Sequence, residues 1–263
     1  MGTIMIDPVE FVRSTMRPMA EHTFPFIASI VGILDAEQGE QVGSGLRCTW
    51  RGRPCLVTAK HVVEEANRAP LGAGFVAGRG APPERLRDVP CVMDELTDLA
   101  VYFLPDAARS PDLAFWPEVR IDGSAEHRSR DYLFVHGFPG RRSRFVFGEL
   151  HNRSLPYGVM QREDDLPGSM QERAFAMDYD PVNMLLEVGG PADFVEPPGL
   201  SGCPVFRIGA SASTPEEWAP ERSLLVGVVT HWNHEKRVLL ASGADALLEL
   251  LARGGGRAPL GPA

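Results

Sequence analysis

Three side chains far apart in the chain, His61, Asp98 and Ser201, are of the types that together convert a weak nucleophile into a strong one. A serine hydroxyl ionises far above neutral pH, so it attacks a carbonyl only when a neighbouring base takes its proton. An imidazole is suited to that task near pH 7, and a carboxylate that accepts its other N–H fixes the tautomer and stabilises the imidazolium. His61 stands in Cys55-Leu-Val-Thr-Ala-Lys-His-Val-Val63, where an apolar strand runs into Thr58-Ala59 and a short helix opens, so main chain holds the ring from both sides. Asp98 stands in Leu96-Thr-Asp-Leu-Ala-Val-Tyr-Phe-Leu104 as an acid at the mouth of an apolar strand. Asp94, four residues earlier, is the fallback carboxylate; Asp98 is preferred because it directly precedes Leu-Ala-Val. Ser201 stands in Pro197-Pro-Gly-Leu-Ser-Gly-Cys-Pro-Val-Phe206, a glycine-rich turn feeding an apolar strand. Such a turn exposes a hydroxyl. It also makes the backbone of Gly199, Leu200 and Ser201 a candidate oxyanion hole, with the Gly199 and Ser201 N–H groups as donors, each worth about 3–4 kcal/mol at comparable sites.

Each motif has a plainer reading. His61 could be a surface histidine beside an amphipathic turn, Asp98 a strand cap, and Gly-Leu-Ser-Gly an ordinary turn. The order Thr-Ala-x-His, Asp-Leu-Ala-Val and Gly-x-Ser-Gly-x-Pro in one chain is what makes the catalytic reading specific. In that combination the sequence resembles the chymotrypsin-like (trypsin-fold) serine peptidases, in particular bacterial members. The resemblance covers roughly residues 24 to 251. It includes Leu225-Val-Gly-Val-Val-Thr-His-Trp232, similar to the strand that pairs with bound peptide, and Tyr132-Leu-Phe-Val-His-Gly-Phe-Pro139 in the second barrel. It implies an all-β fold of two six-stranded antiparallel Greek-key barrels with a short C-terminal helix. It also implies a serine endopeptidase acting through an acyl-enzyme: Ser201 attacks, His61 shuttles the proton and Asp98 orients His61. The expected partner is a protein or peptide substrate, with no metal or organic cofactor. A catalytically silent pseudoprotease that binds peptide on the same scaffold is the alternative.

The sequence also departs from the family pattern. Leu200 occupies the place where zymogen-type relatives carry an Asp that pairs with a newly released N-terminus, so that ion pair cannot form here. Cys203 replaces a glycine and puts a thiol near the site, open to oxidation or alkylation; as a nucleophile it is a poor alternative, since it lies two residues past the position that faces the hole. The resemblance places Val195 at the floor of the primary pocket, near Asp193 and Glu196, and an apolar floor disfavours basic side chains. Thr230, His231 and Trp232 are the other candidate pocket residues. The His-Trp pair is similar to one in glutamyl endopeptidases, but those place the histidine two residues after the strand glycine, whereas Val-Val-Thr intervenes between Gly227 and His231. A structural histidine on a rim strand is the plainer alternative. Arg141, Arg142 and Arg144 form a basic loop that could favour acidic substrates if it lies near the cleft.

The elements that must position these residues are mostly strands. Runs rich in Val, Ile, Phe and Leu, bounded by Gly, Pro, Asp or Asn, predict strands over 24–34, 42–50, 54–58, 99–104, 132–136, 144–150, 173–177, 184–188, 204–208, 224–230 and 237–240. Helical periodicity predicts short helices over 59–67 and 244–253, the second capped by Ser242. The domain is expected over 24–253, with a first barrel over 24–120, a second over 121–241 and the helix over 243–253. Residues 1–23 would be an extension, 254–263 a flexible tail, and 68–90 and 209–222 long surface loops.

A hydrophobic content of 44% over 263 residues excludes global disorder, and a formal charge of −9 argues against a nucleic-acid partner. No apolar run approaches the ~20 residues of a membrane-spanning helix, and the first 20 residues hold no apolar core of a secretory signal. A cytoplasmic location is expected. Cys48 and Cys55 would face each other if Arg51-Gly52 forms a two-residue hairpin turn, and in a reducing cytosol they would stay free thiols. With no extra sensing domain, control would come from a separate regulatory protein, the first 23 residues or the long loops.

Overall fold

A computed structural model describes residues 8–77, 80–106, 113–124, 132–162, 173–180, 185–186, 197–209 and 218–255. The chain opens with helix α1 (Pro8–Thr23) and a single 3-10 turn, Phe24–Phe26. Strands β1 (Ile27–Ile33), β2 (Gly39–Trp50) and β3 (Arg53–Ala59) follow, then the short helix α2 (Lys60–Ala66). Strands β4 (Ala73–Val76), β5 (Glu84–Arg85), β6 (Cys91–Asp94) and β7 (Leu99–Phe103) complete the first half. The second half holds β8 (Tyr132–Gly137), β9 (Ser143–Val146), β10 (Glu149–Asn152), β11 (Leu155–Arg162), β12 (Ala174–Asp178) and β13 (Leu185–Leu186). It ends with β14 (Pro204–Arg207), β15 (Leu224–Asn233), β16 (Val238–Gly243) and helix α3 (Ala244–Gly255).

The first half forms one antiparallel sheet in the order β5-β4-β1-β2-β3-β7-β6. The second runs β12-β16-β15-β14-β8-β11-β13, and an added β11–β12 pairing closes six of its strands into a barrel. The expected double-barrel architecture is therefore present, one half a closed ring and the other a sheet of seven strands without ring closure among the described residues. A shared core of Leu46, Val57, Val101, Phe134, Phe206 and Val228 joins the halves. The connecting segment laces them further. Trp116 exchanges backbone hydrogen bonds with β2, donating to Arg47 O at 2.8 Å and accepting from Thr49 at 2.9 Å, and Asp122 N–H donates to Leu225 O in β15 at 2.9 Å. No helix among the described residues is long and apolar enough to cross a membrane.

Cys48 and Cys55 are direct partners in the β2–β3 ladder around Arg51 (φ 47°) and Gly52 (φ 75°), as the hairpin arithmetic predicts, and both are buried free thiols. Burial pushes the Cys55 thiol up to about 12.

Several expectations need correction. Residues 1–23 are not a mere extension. The stripe Phe11, Val12, Thr15, Met16, Met19 and Ala20 of α1 is buried, and four of these side chains enter the shared core. Their spacing of four residues is a helical face, hidden in the sequence by interleaved charges. Residues 68–90 are not all loop: β4 is wholly buried beside β1, its Gly-rich, Pro-flanked run having masked it. The run 144–150 is a hairpin, β9 and β10, turned at Phe147 (φ 52°) and Gly148 (φ 80°). Strand β11, interrupted by Pro156 and Gly158, carries no strand expectation although it closes the barrel. Gly254 and Gly255 belong to α3 rather than to a tail, and Ser242 does not cap that helix, since its hydroxyl donates to Thr97 O at 2.5 Å.

The end of α1 is tied to the second barrel through a buried histidine. Thr23 Oγ1 donates its one proton to Met19 O (2.7 Å), so at 2.7 Å from His136 Nδ1 it must accept the Nδ1–H. His136 Nε2 is then a buried acceptor without a partner among the described residues. Burial lowers the His136 pKa to about 3 from 6.5. A pKa depressed in the folded state means that stability is full above pH 6.5 and drains as pH falls towards 3, at a limiting slope of about 1.4 kcal/mol per pH unit. Urea denaturation at pH 7 and pH 5 is expected to show a midpoint loss in the wild type that His136→Gln reduces; equal losses in both proteins would contradict this assignment.

Candidate active site

The β3–α2 junction holds His61 as the sequence predicts. Ala59, the last residue of β3, is extended (φ −79°, ψ 147°), and no side chain of its own caps α2. Asp98 does so from the turn that leads into β7. Its backbone carbonyl accepts the Lys60 N–H at 2.9 Å and its Oδ1 accepts the His61 N–H at 3.0 Å. The other carboxylate oxygen, Oδ2, lies 2.6 Å from His61 Nδ1. Three hydrogen bonds thus tie one aspartate to two consecutive residues. Asp98 is 8% exposed, so the paired carboxylate is sheltered from water and from salt. With Nδ1 committed to the carboxylate, neutral His61 presents the Nε2 lone pair to solvent, and the ring is about half exposed.

Asp98 adopts a left-handed backbone (φ 52°), a conformation Asp tolerates better than most residues. The preceding loop holds it there. Asp94 Oδ2 accepts both the N–H (3.0 Å) and the hydroxyl (2.7 Å) of Thr97, while its Oδ1 pairs with Arg253 at 2.7 Å. Asp94 therefore serves the turn and is not the imidazole partner. Lys60 faces away from the ring, paired with Glu64 (2.8 Å) and Glu95 (2.6 Å).

The turn bearing Ser201 packs against this junction. Gly202 has φ 86°, and a Cβ there would collide with Ser44 O and Thr58 Oγ1 and lie 3.1 Å from Ala59 N. A Cβ on Gly43 would be wedged between Val62, next to His61, and the Ser201 carbonyl. Ser201 is thus brought beside the start of α2. Ser201 Oγ and His61 Nε2 are not hydrogen-bonded among the described residues; contacts of this kind commonly tighten only with substrate in place.

The backbone amides of the turn divide cleanly. Leu200 N–H donates to Pro197 O (2.7 Å), Gly202 to Val229 O (2.7 Å) and Cys203 to Leu200 O (3.0 Å). The amides of Gly199 and Ser201 have no acceptor among the described residues, which leaves these two as the available donors and removes Leu200 N–H from the expected hole. The Cys203 thiol is fully buried and pushed well up by burial, so the expectation of an oxidisable or alkylatable thiol is corrected, and with it any nucleophile role.

Of the pocket candidates, Val195 lies outside the described residues, together with Asp193 and Glu196. Thr230 is buried and marks a bulge, where the β15–β16 register shifts between Val229 and His231. The bulge turns His231 to the aspartate. Its Nδ1 lies 3.9 Å from Asp98 Oδ2, and its ring centroid is 5.9 Å from that of His61. His231 thus sits beside the His61–Asp98 pair, and a bulge has no sequence signature that would have placed it there. Trp232 is partly buried against the barrel core and stacks edge-on with His234 at 5.0 Å. A cavity of about 490 Å³ opens beside Gly199 and is lined by Gln41, Phe145 and the charged pairs Arg141, Arg144 and Glu40, Glu65. Arg141 and Arg144 of the basic loop thus share this cavity with Glu40 and Glu65, and none of His61, Asp98 and Ser201 lines it.

No family model matches the sequence, and no curated protein matches it. The structure does match solved ones. Rv3671c of M. tuberculosis H37Rv, in the inactive form of a serine-to-alanine variant, superposes with a TM-score of 0.53 at 17% identity over 99% of each chain. Human heparin binding protein gives 0.55 at 15% identity over 94% of this chain and 97% of its own. The Vibrio cholerae VesB protease gives 0.53 at 14% identity, covering 90% of this chain and 65% of that one.

Replacing Gly202 by Ala must cost both left-handed strain and a backbone clash, about 2–4 kcal/mol together. Chemical denaturation of Gly202→Ala against the wild type checks this, and a loss below about 0.5 kcal/mol would mean that the turn does not lie against Ser44 and Thr58. The fold, seen in the geometry and in the neighbours alike, is that of the chymotrypsin-like serine peptidases.

Proposed function

We propose that the chain is a serine endopeptidase whose nucleophile is Ser201, base His61 and orienting acid Asp98. The observation that carries the reading is the Asp98 carboxylate bound to both the ring and the backbone of His61 at a junction against which the Ser201 turn packs. Ser201 Oγ forms a bond to the substrate carbonyl carbon as its proton passes to His61 Nε2. The carbonyl π pair moves to oxygen, and the Gly199 and Ser201 amides are the donors free to receive that oxyanion. Collapse breaks the C–N bond, with the His61 proton leaving on the amine. Water then repeats the sequence on the acyl-enzyme and returns the serine. Each step needs only groups of the chain, the substrate and one water.

The structural neighbours include proteins named as proteases and one named for binding heparin, so the peptidase reading rests on the site rather than on the fold. An intracellular protein substrate is part of the same reading. It is supported by four free cysteines, two of them facing each other across a ladder without a bond. A separate regulatory protein remains the proposed source of control.

A fluorophosphonate probe is expected to label the wild type at Ser201 and not Ser201→Ala. Asp98→Asn, which loses the acceptor for Nδ1–H, should slow labelling by about 10³- to 10⁴-fold. Wild-type protein inert to the probe from pH 5 to pH 9 but still binding peptide would favour the pseudoprotease alternative.

A further inference from the structure

A serine of the first barrel holds the oxyanion turn of the second. Ser44, on β2, is fully buried and lies outside the proposed triad. Its hydroxyl sits 2.8 Å from Gly199 O and 2.8 Å from Phe138 N. A carbonyl cannot donate and an amide cannot accept, so Ser44 Oγ–H donates to Gly199 O while its lone pair accepts the Phe138 N–H. The main chain of the same residue makes two more bonds. Ser44 N–H donates to Ser201 O at 2.8 Å, and Ser44 O accepts from Thr58 Oγ1 at 2.7 Å. One residue thus holds the carbonyls at both ends of Gly199-Leu-Ser201 and ties them to β3 and to the end of β8.

The bond to Gly199 matters because it fixes the carbonyl of the peptide whose N–H, that of Leu200, is held by Pro197 O at 2.7 Å. Gly199 has φ 96° and no side chain, so its own sterics do not set the peptides on either side of it, and its neighbours must. The peptide before it is held by Gly140 N–H, which donates to Pro198 O at 2.9 Å and so directs the Gly199 N–H to the opposite side. The peptide after it, which links the two donor peptides, is held at its N–H by Pro197 O and at its carbonyl by the Ser44 hydroxyl. We propose that Ser44 is a positioning residue for the oxyanion hole, its side chain keeping the Gly199 and Ser201 amides convergent. The functional part of this inference rests on the serine endopeptidase reading; the structural part does not.

Two measurements test it separately from that reading. Amide hydrogen exchange needs no turnover. In Ser44→Ala the 198–203 segment is expected to exchange at least about 10-fold faster, with β15 and α3 unchanged. Equal exchange in the two proteins overturns the inference. In the wild type alone, the Phe138 amide is expected to be as protected as the interior of β8, and a freely exchanging Phe138 amide overturns it without recourse to a variant. Kinetics supply the second test. Ser44→Ala should lower kcat by about 10- to 100-fold with KM within about threefold, and should weaken a peptide boronate, which mimics the tetrahedral state, by the same factor as kcat. Product peptide should bind unchanged. A variant that melts earlier but keeps kcat and boronate affinity reduces Ser44 to a structural role and overturns the proposal. Wild-type protein not labelled at Ser201 sinks the peptidase reading, while the exchange comparison still decides whether Ser44 orders the turn.

Discussion

A single carboxylate sets the geometry on which everything else in this molecule depends. Asp98 grips His61 twice, through the ring nitrogen and through the backbone N–H, and caps α2 in doing so. Turning the ring breaks its bond to a charged acceptor, worth more than a neutral hydrogen bond, while the backbone bond keeps that acceptor in place. The ring therefore keeps one tautomer and one orientation, and the outward nitrogen is left as the basic one. A fixed imidazole is obtained from a helix of only seven residues because the cap comes from outside it.

Holding Asp98 in turn requires both halves of the fold. Its left-handed backbone is braced by the Asp94–Thr97 turn, which Arg253 of α3 clamps from one side and the Ser242 hydroxyl of β16 from another. The Ser201 turn belongs to the second barrel but is bonded to Ser44 and wedged against Thr58 in the first. Acid and hydroxyl are thus each anchored across the barrel interface, and the shared core with Trp116 and α1 keeps that interface from sliding. Interdomain packing and the geometry of the candidate site are the same set of contacts.

Much of this was legible in the residues. The motifs around His61, Asp98 and Ser201 carried the resemblance that implied the fold, His61 and Asp98 do meet, and the Cys48–Cys55 register followed from a two-residue turn. What escaped has a physical reason in each case. Helix α1 interleaves charge with its apolar face, and its worth comes from tertiary burial rather than periodicity. Strands β4 and β11 carry glycine and proline that read as breakers, yet β4 is wholly buried and β11 closes a ring. His231 reaches Asp98 only because a bulge at Thr230 shifts the register, and Ser44 acts through bonds to residues 94 and 155 positions away. Pairing across such distances leaves no trace in local sequence.

The central claim is that the Asp98 grip selects the His61 tautomer, and nitrogen-resolved NMR of the imidazole ring reads that directly. The account predicts a His61 signal with its proton on Nδ1, protected from solvent exchange and lost in Asp98→Ala. A proton on Nε2 in the neutral ring, or an Nδ1 proton exchanging as fast as that of a free histidine, would contradict it.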